Sequence, residues 1–576
     1  VQPRRHRGCQ RVAEVSPLGE QRLLQRVGRA HGGERGVKGA LRVLAVIILT
    51  ALFSAVTVIS IVPFLTVLAD PAQIHERQAF ARLYEILGFT SDYGFLVALG
   101  LGSLVVIVLT NALQMLKVYA ITSFGMTQAH LNSSRLLGRY LRQPYEFFLD
   151  SHTGDMNKSV LAEAGQVVNQ FYRPLAELVA ALLSTLAILA VVIWVNPLVA
   201  GSALLLLGGI YAAIYGAVRA FLRRIGQERV RLNAQRFRTA GEALGGIKDI
   251  KLLGRETTYL HRYEQCSEAT ARKQAQMSFI SGLPQFVVQS VAFGGIILLC
   301  LLLVDRSSYE GGASLGELLP LIGVFAFAGQ RILPELAKIY NTFSKLQYGL
   351  GVIESITEDF ARTARGRPLP TAAPSGIGLR DRLELDCVGY SYPNAEGSGV
   401  HDITLEIRCG ERIGVVGSTG AGKTTLADIV LGLLEPRSGE MRVDGTPVTP
   451  DTLRAWQQSV GYVPQDIFLT DSSITENIAL GVPPQEIDGG RAIRCAQLAQ
   501  LHDFITAELP VGYDTKVGER GVRLSGGQRQ RIGIARALYH DADLIVFDEA
   551  TSALDNLTER DVMDAVAALP GDKTIL

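Results

Sequence analysis

"RIGVVGSTGAGKTTLADIVLGLL", residues 412–434, reads as a β-strand, a glycine-rich turn and then a helix. Gly417, Gly420 and Gly422 let the main chain wrap around phosphate oxygens, and the start of the helix adds unpaired N–H groups. Ser418, Thr419, Ala421 and Thr425 complete the cradle. Lys423 is placed for the β- and γ-phosphates of a nucleoside triphosphate, and the Thr424 hydroxyl for Mg²⁺. The strand and helix on either side make the match specific for phosphate binding, and they predict a soluble α/β unit around it.

Downstream, "LIVFDEATSALD" (544–555) is an apolar strand ending in two carboxylates. Asp548 suits the Mg²⁺ shell, and Glu549 is placed to polarise an attacking water. Taken alone this pattern is common in parallel sheets; behind a phosphate loop it points to hydrolysis. Between the two lies "RLSGGQRQRIGIARAL" (523–538). Its Ser-Gly-Gly opens a helix and offers a second anion-binding N-terminus. Arg529, Arg531 and Arg536 behind it read as a solvated or partner-facing basic surface.

"LSGGQ", after the phosphate loop and shortly before "LIVFDEATSALD", resembles the signature of ATP-binding cassette (ABC) proteins. The resemblance covers roughly residues 382 to 576 for the ATPase and, more loosely, 40 to 350 for an exporter-type membrane domain. It implies ATP and Mg²⁺ as ligands. Tyr392 in "YSYP" is similar to the aromatic that stacks on adenine, and Gln465 in "YVPQD" to the glutamine linked to Mg²⁺ and water. Ser525, Gly526, Gly527 and Gln528 resemble the residues that close over the γ-phosphate of an opposing subunit, and Asp555 the aspartate that crosses the dimer interface. "TKVGERG" (515–521) would contact the membrane domain. The family places a switch histidine beyond the strand that begins in "GDKTIL" (571–576); with that residue absent and Val1 at the start, the resemblance marks the sequence as a fragment.

The remaining sequence belongs to a different solvent. The 576 residues are 48% hydrophobic and 19% charged, with the long apolar runs confined to the first 350. That is room for about two to four domains, one of them in a membrane. A net charge of +1 gives no electrostatic case for nucleic acid. Six cysteines lack the spacing of a zinc site or disulfide framework, so free thiols are expected.

Crossing about 30 Å of hydrocarbon takes roughly 20 helical residues. Segments near 41–69, 94–121, 174–195, 197–218, 279–304 and 315–343 meet that requirement, with a tight reversal at Asn196-Pro197. Residues 219–277 carry thirteen Lys/Arg, against three in 70–93 and 305–314 together. This bias puts both termini in the cytoplasm and predicts a multi-pass protein of the inner membrane. The expected organisation is a basic flank (1–40), an all-α six-span domain with long intracellular extensions (41–350), a linker (351–381) and an α/β P-loop nucleotide-binding domain (382–576). Within the linker, 364–378 is Pro-, Ala- and Gly-rich, and strand-like runs follow at 382–388, 403–407 and 411–416. "QPYEFFLDSHTGDM" (143–156) and "GGIKDIKLLGRE" (245–256) break helix periodicity where an intracellular hairpin would turn; the resemblance makes them coupling elements. One ATPase and one six-span unit make a half-transporter, so a second copy of the chain is the expected partner.

The sixth span carries Arg331, Glu335 and Lys338 in "FAFAGQRILPELAKIY" (325–340). At 1.5 Å per residue from Leu315, Arg331 lies about 24 Å and Lys338 about 34 Å along the helix, the depth of the inner headgroup layer. Two readings stand equally on this spacing. Arg331 and Lys338, seven apart, share a face that lines a cavity and meets lipid phosphates; or Arg331 pairs with Glu335 at i,i+4 while Lys338 snorkels to the interface. "VISIVPFLTVLADP" (58–71), the amphipathic stretch near 75–87 and "GQRILPELAKIYNTFSKLQYG" (329–349) resemble the branch of bacterial lipid-linked oligosaccharide flippases. That resemblance implies a polyprenyl-pyrophosphate glycan or another anionic lipid as substrate, although Gln285 stands where that branch has an arginine. A multidrug or lipid A-like exporter is the alternative; six spans argue against an ABC ATPase that moves nothing.

Overall fold

The computed structural model describes residues 34–576 apart from 70, 196, 304–314, 365, 368–375, 394–398, 519–520, 522–523, 549–555 and 570. The chain divides into two compact units, one of residues up to 141 together with 151–366, the other of 142–150 together with 367–576.

The first unit is helical. Its long helices are α1 (Glu34–Ala69), α4 (Asp92–Tyr140), α8 (Arg173–Val195), α9 (Pro197–Gly245), α11 (Glu256–Leu303) and α12 (Leu315–Arg362). Each covers one of the expected apolar segments, save that residue 304 of the fifth lies outside the described residues, as does Asn196 of the expected reversal between α8 and α9. Two short helices, α2 (Gln73–Glu76) and α3 (Gln78–Ile86), follow α1 and pack Tyr84 and Phe89 around Phe95. Along α4, Leu101, Leu104, Val105 and Val108 are exposed, an arrangement suited to lipid rather than water. Small polar residues bind α1 to α4: the Thr57 and Thr110 hydroxyls lie 2.7 Å apart, and Ser103 donates to the Ser60 carbonyl at 2.7 Å. Inside a bilayer such bonds hold helices together where apolar burial cannot.

Between α4 and α8 the chain forms α5 (Tyr145–Leu149), α6 (Thr153–Lys158), a π turn (Ser159–Glu163), α7 (Ala164–Val167) and a second π turn (Val168–Tyr172). In an α-helix, residues five apart point about 140° away from each other. A π turn, bonding i to i+5, brings them onto one face. Lys158 accordingly reaches Glu163 at 3.1 Å, with both nearly fully buried. Ser355 of α12 donates to the same carboxylate at 2.9 Å, and Ser159 to Asp359 at 2.6 Å. Where α9 crosses α12, a Cβ at Gly226 would collide with the Tyr348 carbonyl, so only glycine allows the approach. The turn of the second hairpin is α10 (Ile247–Leu253), capped by Gly254 at φ +61°. Helix α12 continues to Arg362, so 351–362, expected as linker, is helical.

The second unit has two sheets. β1 (Arg382–Ser391), β2 (Gly399–Arg408), β3 (Ser438–Val443) and β4 (Thr446–Pro447) form an antiparallel sheet in the order β2-β1-β3-β4. β5 (Val460–Val463), β6 (Leu544–Phe547) and β7 (Thr574–Ile575) form a parallel one in chain order. The alternation of strand side chains gives β6 two buried faces. Leu544 and Val546 join a core with Trp456 and Ile429, while Ile545 joins one built on the helix α18 (Gly526–Tyr539). Residues 411–416 differ from the expected strand. They make one bridge, Arg412 to Ile575, flanked by the hydrogen bond from Ile413 N–H to the Ile575 carbonyl at 2.8 Å. A cavity of about 270 Å³ lies between Gly414–Val415 and β6.

Candidate nucleotide site and intramembrane charge cluster

The phosphate loop leads into α13 (Lys423–Val430). Gly420 and Gly422 sit at φ +84° and +89°, where a side chain is strained, and a Cβ at Gly422 would press on Val400 at 2.6 Å. Residues 417–421 are exposed, and Lys423 Nζ donates to the carbonyls of Gly417 (3.0 Å) and Ser418 (3.2 Å), folded into its own loop. Thr424 faces outward, whereas Thr425 is buried and shares a hydrogen bond of 3.2 Å with the Tyr392 hydroxyl. Tyr392 also packs edge-on against Tyr390, ring centres 5.1 Å apart. An open loop of left-handed glycines, an ammonium turned into it and a free-facing threonine hydroxyl fit a triphosphate.

β5 and β6 are adjacent and parallel, with Val463 opposite Phe547. Gln465 and Asp548 therefore leave the sheet at the same edge, and Asp548 N–H donates to the Val463 carbonyl at 3.1 Å. Tyr462 points its hydroxyl at Asp548, 3.5 Å away. Burial, then the Asp548 charge, pushes the Tyr462 phenol up. The same two causes raise Asp428, on the buried face of α13, to about 6. Glu549 and Asp555 lie outside the described residues.

Ser525 caps α18 in a capping box: its hydroxyl accepts from Gln528 N–H at 3.2 Å, while its own N–H donates to Gln528 Oε1 at 2.8 Å. Gly526 and Gly527 occupy the first turn between them. The basic residues behind are not a free surface. Arg529 donates to the Leu524 carbonyl (2.8 Å), Arg531 to that of Gln500 (3.0 Å), and Arg536 to those of Asn477 (2.9 Å) and Phe468 (3.0 Å). Burial lowers Arg536 to about 10. Gln530, which the sequence did not single out, donates to the Gln465 carbonyl at 3.4 Å and ties the signature helix to the edge holding Asp548.

Residues 142–150 belong to this unit as well. Within it, Glu146 of α5 accepts from the Tyr390 hydroxyl and from Arg437, each at 3.0 Å, and the Arg437 guanidinium lies over the Tyr390 ring. Of the two expected hairpin turns, 143–156 divides, with 143–150 in the second unit and 151–156 in the helical one, while 245–256 lies wholly in the helical one.

In the first unit, Glu335 pairs with Lys338 at 2.9 Å rather than with Arg331, which makes no ion pair among the described residues. Helical geometry permits either partner at i−4 or i+3, and the second is the one formed. Lys117 of α4, not anticipated from the sequence, is buried within electrostatic reach of Glu335 and Lys338.

The family model for the ABC transporter transmembrane region matches residues 40–330, and that described as ABC transporter matches 400–552. This chain is an ABC exporter half-transporter. The exporter is 31% identical over 77% of its length to an ATP-dependent lipid A-core flippase of Cupriavidus metallidurans, covering 73% of that protein. A lipid A-core flippase of Alkalilimnicola ehrlichii is 29% identical over 76% of the chain and 72% of its own length. The heterocyst differentiation ATP-binding protein HepA of Nostoc sp. is 32% identical over 60% of the chain and 54% of its own. A bacterial Atm1-family ABC exporter solved with ATP bound shares the fold, with a TM-score of 0.70 at 24% identity over 93% of this chain and 90% of that one. The exporter is thus a membrane protein whose ATPase domain binds ATP and drives transport. Its described cysteines, Cys266, Cys387, Cys409 and Cys495, are free thiols.

Proposed function

We propose that two copies of this chain form an ATP-driven exporter of a phosphorylated lipid in the inner membrane, with the nucleotide-binding domains in the cytoplasm. The observation that supports the lipid reading is the half-exposed Lys338 of α12 within electrostatic reach of the buried Lys117, with Arg331 two turns before it on the same helix. A lipid A type of substrate is favoured by the relatives named above. A polyprenyl-pyrophosphate glycan presents the same phosphate chemistry but has only the sequence resemblance behind it, weakened by Gln285.

In this reading the nine loop residues Gly417, Ser418, Thr419, Gly420, Ala421, Gly422, Lys423, Thr424 and Thr425 hold the phosphates, and Tyr392 stacks on the adenine. Thr424, Asp548 and Gln465 hold Mg²⁺, which when bound neutralises charge on the β- and γ-phosphates. Glu549 accepts the proton of the attacking water. Ser525, Gly526, Gly527 and Gln528 of one copy face the γ-phosphate bound by the other, and Asp555 crosses between them. Glu549→Gln should lower ATP turnover by about 10²–10⁴, the span typical of losing a general base, while ATP binding persists.

Flipping of lipid A and of phosphatidylcholine in proteoliposomes tests the substrate. Arg331→Ala combined with Lys338→Ala should reduce lipid A flipping at least tenfold and leave unstimulated ATPase in place. Wild-type flipping rates in that double variant would defeat the phosphate-contact reading.

A further inference from the structure

Glu335 and Lys338 form an ion pair with an unequal exposure: the lysine side chain is 51% exposed and the glutamate 10%. One carboxylate oxygen takes the ammonium at 2.9 Å; the other, Oε2, is buried without a hydrogen-bond partner. Behind them Lys117, on a different helix and 6% exposed, is coupled electrostatically to Glu335, Lys338 and Glu177, yet it forms no ion pair with a described residue. Glu177 is already held by Arg173 at 2.9 Å. Counted from the helix ends at about 1.5 Å per residue, Lys117, Glu335 and Lys338 all lie roughly 30–40 Å along their helices, at the inner boundary of the hydrocarbon.

Charges at such depth persist when paired, face a cavity or bind a ligand. Lys117 and Lys338 contribute two positive charges and Glu335 one negative, and Arg331 adds a third cation two turns before Lys338 on α12. The excess of two over this stretch matches the roughly −1.5 to −2 of a phosphomonoester. The half-exposed Lys338 is the cation a ligand reaches first, but its ammonium is occupied. An incoming phosphate must displace Glu335, and the displaced carboxylate, whose second oxygen is unbonded, has Lys117 within reach.

We infer that Glu335 is a specificity-determining counter-anion: it holds Lys338 until a phosphorylated headgroup takes the lysine, and Lys117 then receives the released carboxylate. The inference rests on the lipid reading above and assigns its selectivity to one residue. A zwitterionic lipid such as phosphatidylcholine carries a single phosphodiester charge already balanced by its own choline, too little to take Lys338 from Glu335, so it leaves the pair closed. A phosphomonoester exchanges one anion for another, and no charge is left unpaired in a low dielectric.

The experiment measures ATPase stimulation of the reconstituted protein as a function of three probes: lipid A, phosphatidylcholine and inorganic pyrophosphate. Wild type should respond to lipid A and not to phosphatidylcholine or free pyrophosphate. Glu335→Gln, which frees Lys338, should lower the lipid A concentration for half-maximal stimulation about five- to tenfold. Lys117→Met should raise it about two- to fivefold in the wild-type background and leave it unchanged in the Glu335→Gln background, a coupling that a merely structural lysine would not show. No preference of the wild type for lipid A over phosphatidylcholine would remove the lipid reading itself. A wild-type response combined with an unchanged or raised half-maximal concentration in Glu335→Gln would leave that reading standing and overturn the counter-anion. Equal stimulation by free pyrophosphate would assign the site to a soluble anion and overturn the headgroup. Should Glu335→Gln fail to fold, Lys117→Met alone decides, and an unchanged half-maximal concentration overturns the proposal.

Discussion

In the ATPase unit, Arg529, Arg531 and Arg536 donate to main-chain carbonyls of Leu524, Gln500, Asn477 and Phe468. In the helical unit, Lys158 pairs with Glu163, Lys338 with Glu335, and Arg229 donates to Gln166 at 2.8 Å while lying over the Tyr348 ring. A carbonyl acceptor is fixed by the fold and has no alternative partner. A carboxylate or amide on another helix can rotate, exchange or be replaced by a ligand. Cations clamped to backbone serve rigidity around the signature helix; cations paired through side chains leave the helical unit able to redistribute charge when its helices move or meet an anion.

The buried pair Lys158–Glu163 gives the largest expected effect. Lys158→Met leaves the Glu163 carboxylate, 2% exposed, with Ser355 as its hydrogen-bond donor among the described residues and no ion-pair partner in contact. Removing one partner of a buried ion pair costs about 3–5 kcal/mol, whereas replacing both by apolar groups is often near neutral. Lys158→Met should therefore lower the unfolding midpoint in detergent sharply, and Lys158→Met with Glu163→Leu should recover most of it. If the double variant were as unstable as the single one, the pairing would not be exchangeable in the sense drawn here.

Arg536→Ala should cost about 2–3 kcal/mol in chemical denaturation, because two carbonyls lose their donor in a partly buried site. Here a second-site side-chain change should give no rescue, since the orphaned acceptors belong to the main chain. Rescue by Asn477→Ala, which keeps the Asn477 carbonyl, would erase the distinction between the two units.

The sequence made some of this legible and hid the rest for physical reasons. The phosphate loop, the signature and the six long helices rest on local pattern, glycine placement and apolar runs, which survive without knowledge of neighbours. The Lys158–Glu163 pair was hidden because the expected helix period is 3.6 and a π turn changes it. Lys117 was hidden because nothing local records which way one long helix turns toward another. The pairing of Glu335 with Arg331 expected at i,i+4 gives way to the i,i+3 pair with Lys338, which the same helical neighbour rule permits and the sequence reading did not consider. The strand expected at 411–416 is built of strand-forming residues, yet a strand also needs a neighbour along its length, and here only Arg412 bridges to Ile575 among the described residues. The arginines of the signature helix read as surface because their acceptors, backbone carbonyls far along the chain, carry no residue identity.

The smallest effect separates local structure from function within the ATPase unit. Two serines there cap helices in the same way: Ser473 with Glu476 on the helix Ile474–Ile478, and Ser525 with Gln528 on α18. Replacing a serine cap by alanine costs about 1 kcal/mol. Ser473→Ala and Ser525→Ala should therefore shift stability by similar amounts. Only Ser525 stands in the motif proposed to meet the partner copy's γ-phosphate, so Ser525→Ala alone should lower ATP turnover beyond what its stability loss explains. Each variant would be followed by thermal unfolding and by turnover well below its midpoint, where both proteins are folded. Equal turnover in the two would reduce Ser525 to a helix cap, and the signature's role would then fall to the N–H groups of Gly526 and Gly527.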